Sequence, residues 1–182
     1  MIEIKEIKTD NKELYSFAEQ LMISAFPISE RRDTEEQRDY ADNKNEFIAN
    51  IIVDNAKPIG FINYWNLKDI YYIEHFAIDT SMRNGGYGQK TLNVIKHILN
   101  DKPIVLEVEL PDDEIKKRRI NFYSRNGFVL QQHNYTQPPY RRGGESLPMK
   151  LMIYNEKNIN LDLNNITYIL HSNVYNVEQY QD

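Results

Sequence analysis

The order of strand-like and helix-like segments in this chain of 182 residues predicts a single α/β domain built on a mixed sheet. Two observations support this prediction. Apolar residues cluster over strand lengths in several segments, and they recur at helical spacing in the segments between them. The composition, 41% hydrophobic and 27% charged, is typical of a globular protein, and the length suits one domain.

The first half of the chain is predicted to form one strand, two helices and two more strands. Isoleucines near the N-terminus indicate the first strand, and Asp10 fits the N-cap of a helix that ends before Pro27. A capping-box pattern beginning at Thr34 predicts a second, more polar helix. The charged residues 30–33 between these helices are typical of a solvated face. Two strands are predicted over residues 47–54 and 58–66.

The second half continues the alternation of strands and helices. An apolar run over residues 70–78 predicts a strand, and helical spacing over residues 89–100 predicts the helix that follows it. The remaining predicted elements are a strand over residues 104–110, a helix over 115–126, and two closing strands over 128–134 and 149–154 around a loop at 135–147.

The last part of the chain is polar and rich in asparagine, with apolar residues at helical spacing from Leu163 to Val174. We therefore expect one domain over residues 1–155 and a partly helical extension over residues 156–182. The extension is expected to pack on the domain or on a second subunit, and the sequence leaves a monomer and a homodimer equally open.

Charge and composition argue against several classes of protein. The net charge of −5 disfavours nucleic acid as a partner, because a phosphate backbone requires a basic surface. The chain has no cysteine, and its 4 histidines have no metal-ligand spacing, so no metal is expected. There is no signal-peptide core and no run of 18 apolar residues, so we expect a cytoplasmic protein with no membrane partner.

Three of the 7 glycines lie between the 70–78 strand and the helix after it. Glycine allows the backbone to approach a ligand closely, and a helix N-terminus offers free amides and a positive dipole, which suits a phosphate. Arg83 adds a guanidinium that can pair with phosphate oxygens. The segment matches neither the P-loop pattern nor the dinucleotide fingerprint. A glycine-rich turn without a ligand is the alternative.

The spacing of Arg83, Gly86 and Gly88 matches R-x-x-G-x-G, and this pattern between a strand and a helix resembles motif A of the GNAT superfamily of acetyl-CoA-dependent N-acetyltransferases. The resemblance implies acetyl-CoA as co-substrate. It also implies that the coenzyme A pyrophosphate is held by the loop residues Arg83, Asn84, Gly85, Gly86, Tyr87, Gly88 and Gln89.

Residues 120–128 resemble a second signature of the same family, F-Y-x-x-x-G-F, which contains Tyr123. Family members often carry Asn and Ala where this chain has Lys116 and Arg119, which weakens the transfer of the family's asparagine contact to coenzyme A but leaves the tyrosine in place. The resemblance implies a mixed, mostly antiparallel twisted sheet of about six to seven strands with about four flanking helices. It also implies backbone contacts to acetyl-pantetheine from the fourth strand, at Phe76, Ala77 and Ile78.

Transfer to an amine needs a base and an acid. An alkylamine has a pKa near ~10.4 and arrives protonated, so a carboxylate must accept its proton, directly or through water. The fourth strand carries Glu74, our predicted base, and Glu107 and Glu109 on the fifth strand are rivals. The family resemblance makes Tyr123 the acid for the leaving thiolate, and a backbone amide of the fourth strand the oxyanion donor. His75 is expected on the face opposite Glu74, in a structural role.

The acceptor is expected to be a primary amine of a small molecule or peptide. Five acidic residues are expected near the carboxyl ends of the central strands, where ligands gather in α/β sheets, and they favour a positively charged acceptor: Glu74, Glu107, Glu109, Asp112 and Asp113. Residues 138–144 are expected either to cover the acceptor side or to form an exposed turn. Two alternatives stay open: a non-catalytic acetyl-CoA-binding module, and an enzyme that uses a longer acyl-CoA.

Overall fold

The computed structural model describes residues 1–177, which form eight strands and five α-helices. The elements in chain order are β1 (Ile2–Glu6), α1 (Lys12–Ala25), α2 (Thr34–Asn43), β2 (Phe47–Asp54), β3 (Lys57–Asn66), β4 (Tyr71–Ile78), α3 (Tyr87–Ile98), β5 (Ile104–Glu109), α4 (Glu114–Arg125), β6 (Val129–Leu130), β7 (Tyr135–Gln137), β8 (Leu147–Tyr154) and α5 (Leu163–Asn173). Of the predicted extension at 156–182, residues 178–182 lie outside the described part.

All eight strands belong to one sheet with the order β1-β2-β3-β4-β5-β8-β6, in which β7 pairs with another stretch of β8. Every pairing is antiparallel except that of β4 with β5. The predicted mixed, mostly antiparallel α/β fold with a short C-terminal helix is confirmed, with slightly more strands than expected. Within residues 1–177, no helix is long and apolar enough to cross a membrane.

Helices cover both faces of the sheet, and each face has its own apolar core. One core contains buried residues of α1, α2 and α5, such as Leu21, Tyr40 and Leu170, packed on Phe61 and Trp65 of β3. The other contains buried residues of α3 and α4 packed on the opposite side of the same strands: Leu92, Ile95 and Ile120. The α5 helix is therefore part of the first core.

The parallel pair β4–β5 opens into a wedge. The two strands are in register only from Tyr71–Ile104 to Ile73–Leu106, and their remaining residues do not pair with each other. Because β4 stays paired with β3 as far as Ile78, and β5 stays paired with β8 as far as Glu109, both strands remain ordered on either side of the gap. Backbone groups of β4 thus face an open cleft at the carboxyl end of the strand.

A β-bulge lies where the wedge begins. Tyr64 of β3 pairs with Ile73, and its neighbour Asn63 pairs with His75, so Glu74 is the extra residue of β4. The bulge turns Glu74 and His75 to the same side of the sheet, where one reaches Trp65 and the other lies against Phe26. The expectation that His75 lies on the face opposite Glu74 is therefore wrong, because strict alternation fails at a bulge.

Three other local expectations are corrected. The side chain of Asn11, one residue after Asp10, caps α1 by accepting from the amide of Leu14 at 3.3 Å. The predicted strand at 128–134 shrinks to β6, because the carbonyls of Gln132 and His133 bond to the Lys150 ammonium group instead of a neighbouring strand. A further strand, β7, forms inside the predicted loop at 135–147.

Candidate active site

The loop before α3 presents a row of free backbone amides. A short 3₁₀ turn, Thr80–Met82, follows β4, and α3 begins at Tyr87 with Gly86 as its N-cap. The first helical bond is donated by Lys90 to the Gly86 carbonyl. Among the hydrogen bonds within residues 1–177, none is donated by the backbone amides of residues 84–89. Six consecutive donors at a helix N-terminus form a site suited to an anion.

The backbone of this loop requires small residues. Asn84 and Gly86 have φ of 68° and 71°, and asparagine and glycine tolerate this region best. A Cβ added to Gly86 would meet no atom within 4 Å, so the space beside it is open to a ligand. At Gly88 a Cβ would lie 3.2 Å from the Phe122 ring, so this glycine allows α3 to approach α4 closely.

Arg83 supplies a positive charge beside the amides. Its side chain is exposed, and its only hydrogen bond within residues 1–177 runs from Nε to the Ile78 carbonyl at 3.5 Å. A bond this long holds the guanidinium weakly, so the group can reorient toward a phosphate.

A cavity of about 230 Å³ lies between β4 and β5, and Arg83 at the start of this loop is part of its lining. On the α3–α4 side it is lined by Phe76, Ile78, Arg83 and Tyr123. On the α1–α2 side its lining includes Phe26, Glu30, His75, Glu107, Gln137 and Tyr140.

The backbone amides at the end of β4 alternate in direction. The Asp79 amide donates to the Ile59 carbonyl on the β3 side, so the amide of Ala77 also points toward β3. The amides of Phe76 and Ile78 therefore point the other way, toward the wedge.

Tyr123 lies near the end of α4 with its ring packed against Phe128, at a centroid distance of 5.7 Å, and it lines the cavity. Burial raises the pKa of its hydroxyl to about 12, and the nearby Arg119 guanidinium acts in the opposite direction. The hydroxyl is therefore protonated throughout the neutral range. Within residues 1–177 it has no hydrogen-bond partner, so it is available as a donor to a group in the cavity.

Glu74 is committed to a buried ion pair. One carboxylate oxygen lies 2.6 Å from Nη2 of Arg32, the other accepts from Nε1 of Trp65 at 3.1 Å, and both charged side chains are almost fully buried. Burial alone would raise the pKa of Glu74, but the charges of Arg32 and His75 and these hydrogen bonds hold the pKa below its usual value. A carboxylate stabilised in this way is a poor proton acceptor.

The sequence suggested that Arg32 belongs to a solvated face. The structure instead buries it. Its guanidinium lies 4.7 Å from the ring centre of Tyr40, 5.3 Å from that of Trp65 and 5.1 Å from that of Tyr140. The group is 1% exposed. Its burial could not be read from the local charge pattern, because its partners come from distant parts of the chain, from Tyr40 to Val174.

Glu107 of β5 has a different environment. Its carboxylate lines the cavity and accepts hydrogen bonds from Tyr135, Gln137 and Tyr175, the last at 2.8 Å. No cation pairs with it within residues 1–177. Burial raises the pKa of Glu107 above its usual value, although these hydrogen bonds act in the opposite direction. A cavity-lining carboxylate with a raised pKa is suited to accepting a proton.

The other acidic residues of the prediction lie nearer the cavity rim or outside it. Glu109 lines the cavity but is paired with Arg119, and the Lys116 ammonium lies 3.8 Å away. Asp112 pairs with Lys116 at 2.7 Å and does not line the cavity, and neither does Asp113. Three of the five predicted acidic residues, Glu74, Glu107 and Glu109, thus line the cavity, whereas the two aspartates lie outside it around the Lys116 ammonium group.

Two cavity-lining residues were not singled out in the sequence, although one of them lies in the 138–144 segment expected either to cover the acceptor side or to form an exposed turn. Glu30 lines the cavity opposite Glu109, and burial together with the negative charge of Glu109 raises the pKa of Glu30. Tyr140, from the predicted 138–144 loop, lines the same cavity, and its ring lies 5.9 Å from that of His75. Neither residue belongs to a motif. Within residues 1–177 no group of three or more His, Asp or Glu side chains could hold a metal ion.

Comparisons with known proteins agree with this geometry. The model of the acetyltransferase (GNAT) family matches residues 11–128. A GNAT-family protein from Bacteroides thetaiotaomicron is 45% identical, with a TM-score of 0.90 over 95% of this chain and 98% of that one. None of the curated proteins compared with the chain matches it.

More distant solved structures share the fold. An aminoglycoside 6'-N-acetyltransferase complexed with coenzyme A is 17% identical, with a TM-score of 0.58 over 83% of this chain and 95% of that one. A variant of the spermidine N-acetyltransferase SpeG from Vibrio cholerae is 15% identical, with a TM-score of 0.61 over 84% of this chain and 92% of that one. The family match covers most of the chain and both predicted motifs, and so this chain belongs to the GNAT acetyltransferase family.

Proposed function

We propose that this protein is an N-acetyltransferase that moves the acetyl group of acetyl-CoA directly to a primary amine of a small molecule or peptide. One observation carries the proposal: the free amides of residues 84–89 adjoin the open edge of β4, and that edge leads into the cavity where Tyr123 lies. A diphosphate bound at the loop would direct a thioester along β4 toward this hydroxyl.

The proposed coenzyme contacts follow from that placement. The amides of Asn84, Gly85, Gly86, Tyr87, Gly88 and Gln89 and the Arg83 guanidinium would bind the diphosphate. The cleft-facing amides of Phe76 and Ile78 would bind the pantetheine arm and the thioester carbonyl, with Ala77 between them as part of the cavity wall. The bulge at Glu74 sets which of these amides face the wedge.

For the proton acceptor we propose Glu107 in place of Glu74. Both residues line the cavity, but the Glu74 carboxylate is neutralised by Arg32, whereas Glu107 pairs with no cation within residues 1–177 and has a raised pKa. In the proposed step Glu107 takes a proton from the ammonium group, directly or through water. The amine nitrogen then forms a bond to the acetyl carbon, and a β4 amide stabilises the oxyanion. As the tetrahedral intermediate collapses to the amide, the nitrogen releases its second proton to solvent.

Tyr123 completes the reaction at the other end of the breaking bond. As the carbon–sulfur bond breaks, the Tyr123 hydroxyl donates a hydrogen bond to the sulfur, which leaves as a thiolate. A thiol has a pKa near ~8.5, well below the value of about 12 for Tyr123, so solvent completes the protonation of the sulfur. Tyr123 therefore stabilises the developing negative charge.

The charge of the cavity bears on the acceptor. Its α1–α2 side carries the carboxylates of Glu30 and Glu107, and the arginines Arg83 and Arg119 lie toward the α3–α4 side. This distribution favours an acceptor with a positive charge, such as a polyamine, an aminoglycoside or a lysine peptide. Calorimetric titration tests this, because the proposal fails if acidic amines bind and these three classes do not.

A thiol-release assay with acetyl-CoA and a panel of amines tests the reaction. Tyr123→Phe and Glu107→Gln should each lower kcat by about 10²-fold or more while coenzyme A binding is retained. Tyr64→Phe is the matched control and should not change kcat, because Tyr64 packs on the same face of the sheet as Tyr123 but does not line the cavity. Coenzyme A binding without turnover would indicate a non-catalytic module, and faster turnover with longer acyl-CoA would indicate a different acyl donor.

A further inference from the structure

The chain that follows α5 reaches the acceptor side of the cavity. Tyr175 is 2% exposed, and its hydroxyl donates to Oε2 of Glu107 at 2.8 Å, across a sequence separation of 68 residues. The same hydroxyl lies 3.1 Å from the Tyr72 hydroxyl and 3.5 Å from that of Tyr140. The carboxylate that we propose as the base is thus bonded to a residue beyond the last helix.

Two sets of contacts hold Tyr175 in position: the packing of α5 in the first core and a hydrogen bond from Arg32 to the preceding residue. Ile166 and Leu170 bury the inner face of α5 in the first core, and the amide of Tyr175 bonds to the Leu170 carbonyl at 3.3 Å. The adjacent Val174 carbonyl accepts from Nη2 of Arg32 at 3.0 Å. Since Arg32 also pairs with Glu74, the end of α5 is joined to the β4 bulge as well as to Glu107.

We propose that Tyr175 is a positioning residue that fixes the Glu107 carboxylate within the cavity, so that the segment after α5 completes the acceptor side of the active site. This inference rests on the proposed function only where it connects Glu107 to catalysis. The contact itself is a property of the folded chain and can be measured without any acceptor.

The groups around Glu107 predict how loss of the Tyr175 hydroxyl should change the pKa of Glu107. Four neutral side chains surround the carboxylate and donate hydrogen bonds to it: Tyr72 of β4, Tyr135 and Gln137 of β7, and Tyr175. Donors of this kind stabilise the charged form. Removing one should therefore raise the pKa of Glu107, because burial, which acts the other way, is unchanged.

Tyr175→Phe removes the hydroxyl and keeps the ring that packs at 5.1 Å from Tyr140. The titration midpoint of Glu107 can be followed by carbon NMR of the glutamate carboxyl groups, with Glu107→Gln identifying the resonance. A hydrogen bond to a charged acceptor corresponds to a change of about one to two pH units, so we expect an upward shift of this size. Tyr64→Phe, on the opposite face of the sheet, should leave the midpoint unchanged.

Kinetics provide the second readout. If Glu107 is the base, the acidic limb of the kcat–pH profile should move upward in Tyr175→Phe by the same amount, while KM for acetyl-CoA stays constant. An NMR midpoint that does not move would overturn the inference. A midpoint that moves while the kinetic limb stays in place, or while no amine is acetylated, would support the role of Tyr175 and refute Glu107 as the base.

Discussion

Replacing Arg32 by methionine would isolate the energetics of the buried ion pair beside the β4 bulge. The pair has a nitrogen–oxygen distance of 2.6 Å, and its side chains are 2% and 0% exposed. Methionine keeps much of the apolar contact with the surrounding rings but leaves the Glu74 carboxylate unpaired. Breaking a buried pair in this way costs about 3–5 kcal/mol of unfolding free energy. For a domain of this size that corresponds to a fall in Tm of roughly 6–20 °C.

The loss should depend on pH. In the native protein the pKa of Glu74 is held below its usual value, so the pair stabilises the fold above that usual value and the stabilisation is lost as the pH falls through the lowered pKa. In Arg32→Met the charge and hydrogen bond of Arg32 are lost, so burial, opposed only by His75 and the Trp65 hydrogen bond, raises the pKa of Glu74. The cost of burying the unpaired Glu74 charge is then largest at neutral pH and disappears as Glu74 becomes protonated. The unfolding free energies of the native protein and of Arg32→Met should therefore differ less at pH 5 than at pH 7.

Urea unfolding at both pH values measures these differences. The double variant Arg32→Met/Glu74→Gln should recover part of the loss, because no buried charge remains. Arg38→Met is the control: its pair with Glu19 is bidentate at 2.7 and 2.8 Å, but the Arg38 side chain is half exposed, so the loss of unfolding free energy should stay well below that of Arg32→Met. A loss below about 1 kcal/mol in Arg32→Met, or a difference that does not decrease at pH 5, would refute the reasoning.

Two further predictions concern the coenzyme site and the base. Gly86→Ala should weaken coenzyme A binding at least tenfold in calorimetry, because φ is 71° at this residue and the new methyl group enters the open space beside the amides. The control is Gly143→Ala, where φ is 77° and the surroundings are equally open. This variant should be strained to a similar degree but leave coenzyme A binding unchanged. Equal binding by both variants would argue against the loop. The native kcat should fall as the pH drops through the pKa of Glu107, which burial places above the usual glutamate value, and a limb at or below that usual value in a pH–rate profile would contradict this role.

Much of the fold, and the loop that we propose binds the coenzyme, could be predicted because the signals are local. The strand at residues 47–54 was predicted with its actual ends, since an apolar run and a hairpin loop define them. The loop containing Arg83, Gly86 and Gly88 was predicted to precede a helix, because glycines with free amides are needed at that place. These features depend on neighbours in the chain.

The acceptor side could not be predicted in the same way. Which carboxylate is available as a base depends on contacts with distant residues. Glu74 pairs with Arg32, 42 residues earlier in the chain, and Glu107 accepts from Tyr175, 68 residues later. The bulge at Glu74 also depends on the register of β3, and no residue type marks it. Contacts between distant segments decide the charge state of each carboxylate, and a single sequence does not contain that information in any local pattern.

The central claim is that the free amides before α3 bind the diphosphate of coenzyme A. Amide chemical shifts recorded by NMR during titration with coenzyme A, with pantetheine as a ligand that lacks the diphosphate, test it most directly. We predict large shifts at residues 84–89 with coenzyme A and small ones with pantetheine. Saturable binding of coenzyme A that leaves these six amides unshifted would contradict the claim.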